Sequence, residues 1–170
     1  MSETKTLHRM FWVWEFDKEE RWLNEMAQEG WALKHAGFCT YTFEKCEPGE
    51  YTIRLEMIDN TPAFQSFMEE LDAEAVGKCV SWAYFRRRAE LGPFEMFSDI
   101  DSRIGHLNRI GKMLSLICLA NLLIGVANSF SDANAHLAWI NLLCAALLAY
   151  GLGRIHGMRD GLLNERTLHE

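Results

Sequence analysis

The sequence predicts an α+β head followed by a two-helix transmembrane hairpin, and three observations point to it. Two charge-free apolar stretches lie near the C-terminus, 113–131 between Lys112 and Asp132, and 133–153 between Asp132 and Arg154. At 1.5 Å per residue each reaches roughly 30 Å as a helix, about the thickness of bilayer hydrocarbon. The region before them mixes runs of apolar period two with runs of period near four, the signatures of strands and amphipathic helices. Strong turn signals separate those runs. The expected division is a head over 1–90, a basic juxtamembrane neck over 91–112, the hairpin over 113–153 and a tail over 154–170.

Within the head, Arg9 to Trp14 reads as a first strand, apolar at both parities and so covered on both faces. Asp17 is placed to cap a helix, with Glu20 as its capping-box partner. Trp22, Leu23, Met26 and Ala27 form the apolar stripe of that helix, and Gly30 suits its C-terminal end. One long strand follows, with Trp31, Leu33, Cys39, Tyr41 and Phe43 on one face and a bulge at Gly37. Glu47-Pro48-Gly49-Glu50 is a turn signal, with Pro48 and Gly49 at the two central positions. Tyr51, Ile53, Leu55 and Met57 alternate in the returning strand, so the two runs read as a hairpin. Thr61-Pro62 opens a second helix with Phe64, Phe67, Met68 and Leu71 inward. Cys79 to Phe85 is the last strand, with Val80, Trp82 and Tyr84 on one face. The order is β-α-β-β-α-β, the ferredoxin-like split unit. Its helices would cover one sheet face and leave the other open. After the break at Leu91-Gly92-Pro93, Ser98 or Asp99 could cap a helix running from near Asp101 into the first span.

Charge narrows the partners. The net charge is -7, with -8 over residues 1–85 and +2 over residues 86–112. An acidic head suits phosphate backbones poorly, so nucleic acid is not expected. The neck cations Arg86, Arg87, Arg88, Arg103, Arg109 and Lys112 suit a membrane surface, with a solvated, topology-setting strand end as the plainer reading of Arg86 to Arg88. The neck and the tail (Arg154, Arg159, Arg166) carry the cations, and the loop Ser131 to Asn134 has none. The positive-inside rule then predicts a multi-pass protein of the cell membrane with both termini cytoplasmic. The five cysteines, with no C-x-x-C pair, agree with a reducing compartment. The polar start, Met1 to His8, predicts no cleaved signal peptide.

Several strings also carry a family resemblance. Glu20-Arg21-Trp22-Leu23-Asn24-Glu25-Met26-Ala27 followed by Gly30-Trp31-Ala32-Leu33 is its specific part. Tyr41-Thr42-Phe43-Glu44, Tyr51-Thr52-Ile53-Arg54-Leu55, Trp82-Ala83-Tyr84-Phe85 and 97–104 fit the same pattern. Over roughly residues 8–110 the chain resembles domain-of-unknown-function family 2812. The resemblance implies a bacterial protein with a cytoplasmic head, often followed by membrane helices and encoded beside PadR-like regulators. It implies no catalytic residues.

No residue set names a reaction. The six histidines have no metal-ligand spacing, so no metal and no cofactor are expected. His106, in the neck, is the one histidine placed to contact a headgroup, against a solvated helix residue as the bland reading. Glu19 and Glu20 read as a solvent-facing and a capping residue, and Glu69 and Glu70 as a polar helix face. The head tryptophans could form a base-stacking platform, but the acidic balance favours core. Small and polar residues recur at Cys118, Asn121, Gly125 and Asn128, and at Asn141, Ala145, Ala149 and Gly153, as helix-packing stripes.

The expected function is a membrane-anchored cytoplasmic interaction or sensory module, acting by partner binding without catalysis. Phe38, Thr40, Thr42, Thr52 and Arg54 are its candidate residues on the open sheet face. Its expected partners are the lipid bilayer and either a protein or a second copy of the chain. The alternative is a small-ligand-binding or transport-associated subunit that oligomerises through its membrane hairpin.

Overall fold

The computed structural model describes residues 3–57, 68–79, 81–94, 100–131 and 133–169. The chain forms two compact units, Met1–Met96 and Phe97–Glu170.

The first unit is a mixed α+β head with one six-stranded sheet. Its strands are β1 (Thr4–His8), β2 (Trp31–Gly37), β3 (Thr40–Lys45), β4 (Tyr51–Met57), β5 (Glu74–Cys79) and β6 (Trp82–Arg88), in spatial order β1-β3-β2-β5-β6-β4. Helix α1 (Phe16–Gln28) lies between β1 and β2 in the chain. This order departs from the expected ferredoxin-like arrangement at four points.

The first strand is Thr4–His8, not Arg9 to Trp14. Its polar alternation is that of an edge strand, with Thr4, Thr6 and His8 exposed and Lys5 and Leu7 half-buried. The apolar run after it turns instead of extending: Val13–Glu15 is a 3-10 turn closed by the Glu15 N–H on the Trp12 carbonyl at 2.7 Å. Helix α1 then starts after Glu15, so Asp17 sits inside its first turn and is not the cap.

The expected long strand is a β2–β3 hairpin, folded at Phe38 and Cys39, where Cys39 takes a left-handed φ of 53°. The bulge falls between Leu33 and His35, and Gly37 ends β2. Leu33 pairs with Phe43 and Ala36 with Tyr41. The alternation therefore assigned Leu33, Tyr41 and Phe43 to one face correctly although the strand is folded in two.

Third, β3 and β4 are not neighbours. β3 pairs with β1 and β2, whereas β4 pairs with β6 from Tyr51↔Arg88 to Met57↔Trp82. The Pro48-Gly49 turn closes on itself, Glu50 N–H to the Glu47 carbonyl at 3.0 Å, but it closes no hairpin. Its Gly49 N–H, at φ 77°, donates to the Ala27 carbonyl at 2.9 Å and so seats the turn on the end of α1. Gly30, at φ 82°, ends the helix as expected, and a Cβ there would come 2.9 Å from the Cys46 carbonyl oxygen.

Finally, the last strand is a second hairpin, β5–β6. It joins β2 in parallel through the register pair Ala36↔Gly77. A Cβ on Gly77 would lie 2.6 Å from the Ala36 carbonyl oxygen, so the two strands meet only because that position is glycine. Thr61, Pro62, Phe64 and Phe67 of the expected second helix, and Val80, lie outside the described residues. Met68 is buried, at the start of a helical turn over residues 68–70.

Helix α1 buries Leu23, Met26 and Ala27, as its stripe predicts. Its polar side chains also close the β4 edge. The Asn24 amide donates to the Ile53 carbonyl at 2.8 Å and accepts from the Ile53 N–H at 2.9 Å. Glu20 accepts from the Leu55 N–H at 2.9 Å. Glu20 is thus an edge-closing residue, not a capping-box partner. On the other face of β6, Ala83 and Phe85 pack with Met68 and Phe94. The β6 strand is therefore covered on both faces, and the expected one-sided sheet is open only elsewhere.

The second unit is a helical hairpin of α2 (Ile100–Ser129) and α3 (Ala135–His169). Both are long and apolar enough to cross a membrane, with mean hydropathy 2.0 and 1.6 over their most apolar windows. Residues 100–112 of the neck form the start of α2, and residues 154–169 of the tail continue α3. One line of buried and half-buried positions on α2 runs through Leu107, Gly111, Leu114, Cys118, Asn121, Gly125 and Asn128, and one on α3 through Ala138, Asn141, Ala145, Leu148, Leu152 and Ile155, with Ile104, His106, Ile110, Leu142 and Gly151 among the covered positions beside them. Steps of three and four alternate, the spacing of a left-handed two-helix seam. Gly125 faces Asn141 and Leu142, and the Cys118 thiol reaches the Ala145 carbonyl at 3.4 Å. Ala149 and Gly153 are exposed and leave the seam, because a strict step of four drifts around a helix. Asn121 and Asn141 donate to their own helix, to Ile117 and Leu137 carbonyls at 2.9 and 3.0 Å, so each amide N–H is satisfied within its own helix. Outward lie Leu116, Leu123, Trp139 and Leu143, each more than half exposed.

Two outcomes are expected. Asn24→Ala leaves the Ile53 N–H and carbonyl without the partner they have now and costs about 1–3 kcal/mol. Urea unfolding of the full chain in detergent, followed by tryptophan emission, reads it; an unchanged midpoint contradicts this account of the edge. Gly125→Ala brings its Cβ to 3.0 Å from Leu142 and pushes α2 and α3 apart, whereas the Cβ of Gly153→Ala meets nothing within 4 Å and leaves the seam intact. Alkylation of Cys118, in chains where it is the sole cysteine, speeds up in the first variant and not in the second.

Candidate functional site

Helix α1 puts Glu19 four residues before Leu23, on the buried stripe and not toward solvent. Glu19 is 8% exposed. Tyr41 on β3 and Tyr84 on β6 point at it, because both occupy inward positions of their strands. Each hydroxyl donates to the same Glu19 oxygen, Oε1, at 2.6 Å. The two rings meet edge to face at 6.4 Å. Aromatic packing surrounds the group: Trp22 lies 5.1 Å from Tyr41 and 5.7 Å from Phe43, and Phe11 lies 5.7 Å from Trp22. The Arg9 guanidinium stacks on Phe11 and Trp22, 4.9 Å from each.

The electrostatics follow from burial. Burial pushes the Glu19 carboxyl above the usual carboxylate range, and the two phenol hydrogen bonds oppose that push without cancelling it. Burial, then the hydrogen bond and charge of Glu19, hold Tyr41 far above a free phenol; burial and the same carboxyl do so for Tyr84. The Cys79 thiol is raised by burial first and then by Glu19 and Cys39. Both phenols therefore stay donors and the Cys79 thiol stays protonated, while the carboxyl between them keeps its proton to higher pH than an exposed one. Among the described residues, no three His, Cys, Asp or Glu side chains converge to hold a metal ion.

The expected open-face residues separate into two groups. Thr40 and Thr42 do share an open face, on β3, with Thr6 and His8 of β1. Thr42 Oγ1 lies 3.2 Å from Thr6 Oγ1, and Thr40 Oγ1 lies 3.2 Å from His8 Nδ1. His35 of β2 pairs with Thr42 and is exposed on the same side. Phe38 is at the hairpin turn and 80% exposed. Thr52 and Arg54 are elsewhere, on β4 at the far edge of the sheet. Arg54 is held inside the fold by an ion pair to Glu20 and by the Phe94 carbonyl at 2.7 Å.

A family model with the description "Protein of unknown function (DUF2812)" matches residues 15–119. The chain belongs to that family. The match to the DUF2812 family begins at the last residue of the 3-10 turn and ends within α2, so it spans α1, both hairpins and β4. No curated protein and no solved structure matches the chain.

The basic residues of this DUF2812 member also divide. Arg86 is buried and bound to Glu44 and Glu74 at 2.7 Å each and to the Leu33 carbonyl at 3.0 Å. Arg87 donates to the Leu91 and Pro93 carbonyls at 2.7 and 3.2 Å. Both guanidinium groups are engaged by other residues of the head. Arg88 is exposed and pairs with Glu90 at 3.3 Å. Arg103, Arg109 and Lys112 are exposed on α2, and His106 is buried instead of facing a headgroup.

Glu19 was legible in principle. Its step of four to Leu23 places it on the stripe, and the inward parities of Tyr41 and Tyr84 supply two partners. Reading Glu19 as a solvent-facing residue at a helix start obscured this. The native state holds the Glu19 proton more tightly than the unfolded chain does. That stabilisation is full below pH 4.5 and is lost as pH rises through the native value. The wild-type chain is therefore expected to lose stability relative to Glu19→Gln between pH 4.5 and neutrality. The difference between their thermal midpoints, measured against pH, checks this, and a flat difference contradicts it.

Proposed function

We propose that the chain is a membrane-anchored interaction module, in which the head binds a protein partner on the exposed face of β1, β3 and β2. The observation that carries the reading is the uneven covering of the sheet. β6 is packed on both faces, whereas the threonines and histidines of β1, β3 and β2 line a solvent-exposed face beside Phe38. A protruding aromatic next to short polar side chains is a surface suited to a protein contact. The role is non-catalytic in this reading, since the buried acid is enclosed by its two phenols and the aromatic side chains around them.

The helices α2 and α3 anchor the head in the cell membrane, with both termini cytoplasmic. Cations flank the apolar segments at the end shared by the chain's neck and tail, and the loop between the helices has none.

A photo-crosslinking residue at Thr42 in the full chain, activated in native membranes, is expected to give a discrete adduct. The same residue at Thr52 gives none. An absence of adducts from Thr42 and from Phe38 would remove the proposal; adducts from Thr52 alone would move the surface to the β4 edge.

A further inference from the structure

An open groove of about 480 Å³ runs between α2 and α3, entirely within the helical hairpin. Its polar wall is made by Asn108, Lys112, Ser115, His156 and Arg159. Its apolar wall is made chiefly by Leu116 and Leu119, which are 71% and 52% exposed. The two cations and the two exposed leucines are separated along the helix axis, with Leu107 and Gly111 completing the lining at the charged end. Lys112 is the last charged residue before the apolar stretch of α2, and Leu116 and Leu119 lie one and two turns into it. His156 and Arg159 lie just beyond the apolar stretch of α3. The groove therefore straddles the level at which hydrocarbon gives way to headgroups.

We propose that this groove binds one anionic phospholipid. Its phosphate sits against Lys112 and Arg159, with hydroxyl, amide and imidazole groups of Ser115, Asn108 and His156 within the same wall. An acyl chain lies along Leu116 and Leu119. Charge complementarity selects an anion: two formal cations line the groove, and the acid beside it is Asp160, whose carboxylate takes Nε and Nη2 of Arg159 at 3.2 and 2.9 Å. That adjacent pair is solvent-exposed and weak. Position selects a lipid over a free anion, because Leu116 and Leu119 continue the groove into the apolar stretch. A bare lysine–arginine patch would attract anionic lipids without distinguishing them. A groove with a polar and an apolar wall at the matching depths holds one molecule.

The inference rests on the reading of α2 and α3 as membrane-spanning, and the test separates the two. The full chain is reconstituted in vesicles of phosphatidylcholine alone or mixed with phosphatidylglycerol. Flotation after alkaline washing reports insertion, and native mass spectrometry from mild detergent counts retained lipids. Insertion is expected in both vesicles, with one phosphatidylglycerol retained in preference to phosphatidylcholine. Lys112→Gln and Arg159→Gln each lower that retention about fivefold, while Arg103→Gln, outside the groove, leaves it unchanged. Free glycerol phosphate does not displace the lipid. Equal retention of both lipids, or retention unaffected by the two variants, overturns the site while the membrane reading stands. Displacement by glycerol phosphate overturns the lipid as occupant. Failure to float overturns the membrane reading and the site with it.

Discussion

The Asn24 amide gives one hydrogen bond to Ile53 and takes another from it, the pattern a neighbouring strand would supply. A helix side chain thus finishes the β4 edge, and Glu20 extends the closure to Leu55. One turn earlier in α1, Glu19 draws in Tyr41 and Tyr84 from strands that are not adjacent. At its other end the same helix receives the Gly49 turn. The sheet order depends on these ties. An exposed edge would otherwise invite pairing with another chain, and the β3-to-β4 connection would have no fixed path.

Much of this was legible residue by residue and not pair by pair. Period-two alternation assigned Leu33, Tyr41, Phe43, Ile53 and Leu55 to buried faces correctly, because burial depends on parity alone. It could not tell that Leu33 and Phe43 belong to different strands, since the Lys34 bulge and the two-residue turn together preserve parity. The Pro48-Gly49 turn was recognised by its φ requirements, which are the same whether the turn closes a hairpin or caps a helix. Arg9 to Trp14 misled for a different reason. A dense aromatic run satisfies strand propensity, yet its rings are spent on stacking: Trp12 lies parallel to Trp14 at 5.2 Å, and Phe11 reaches Trp22. The true edge strand is polar and carries almost no signal. Of the candidate surface, Thr40 and Thr42 follow directly from alternation. For Arg54 and Arg86 alternation gives the face but not the partners, because the acids they bind, Glu20, Glu44 and Glu74, are remote in sequence.

The hairpin was easier to read because its two helices are long, apolar and charge-free over most of their length, a signal carried by composition alone. Length was visible in the charge-free stretches, and the packing face nearly so. What composition alone left open was the angular drift: small residues four apart mark a close approach for two turns, after which the alternating three-four step decides what stays in contact. At the charged end, Arg166 pairs with Asp101 at 2.8 Å. The two helices thus remain side by side beyond the apolar stretch.

The two hairpins of the head are joined by little backbone. β2 and β5 share the single register pair Ala36 and Gly77, and away from it the Arg86 guanidinium reaches across from β6 to the Leu33 carbonyl and to Glu44. The sheet is thus two plates with one backbone weld, tied on one side by the Arg86 guanidinium and on the other by the Tyr41–Glu19–Tyr84 cluster. A lateral pull on the β1–β3–β2 plate concentrates at that seam, while each plate keeps its own ladder intact.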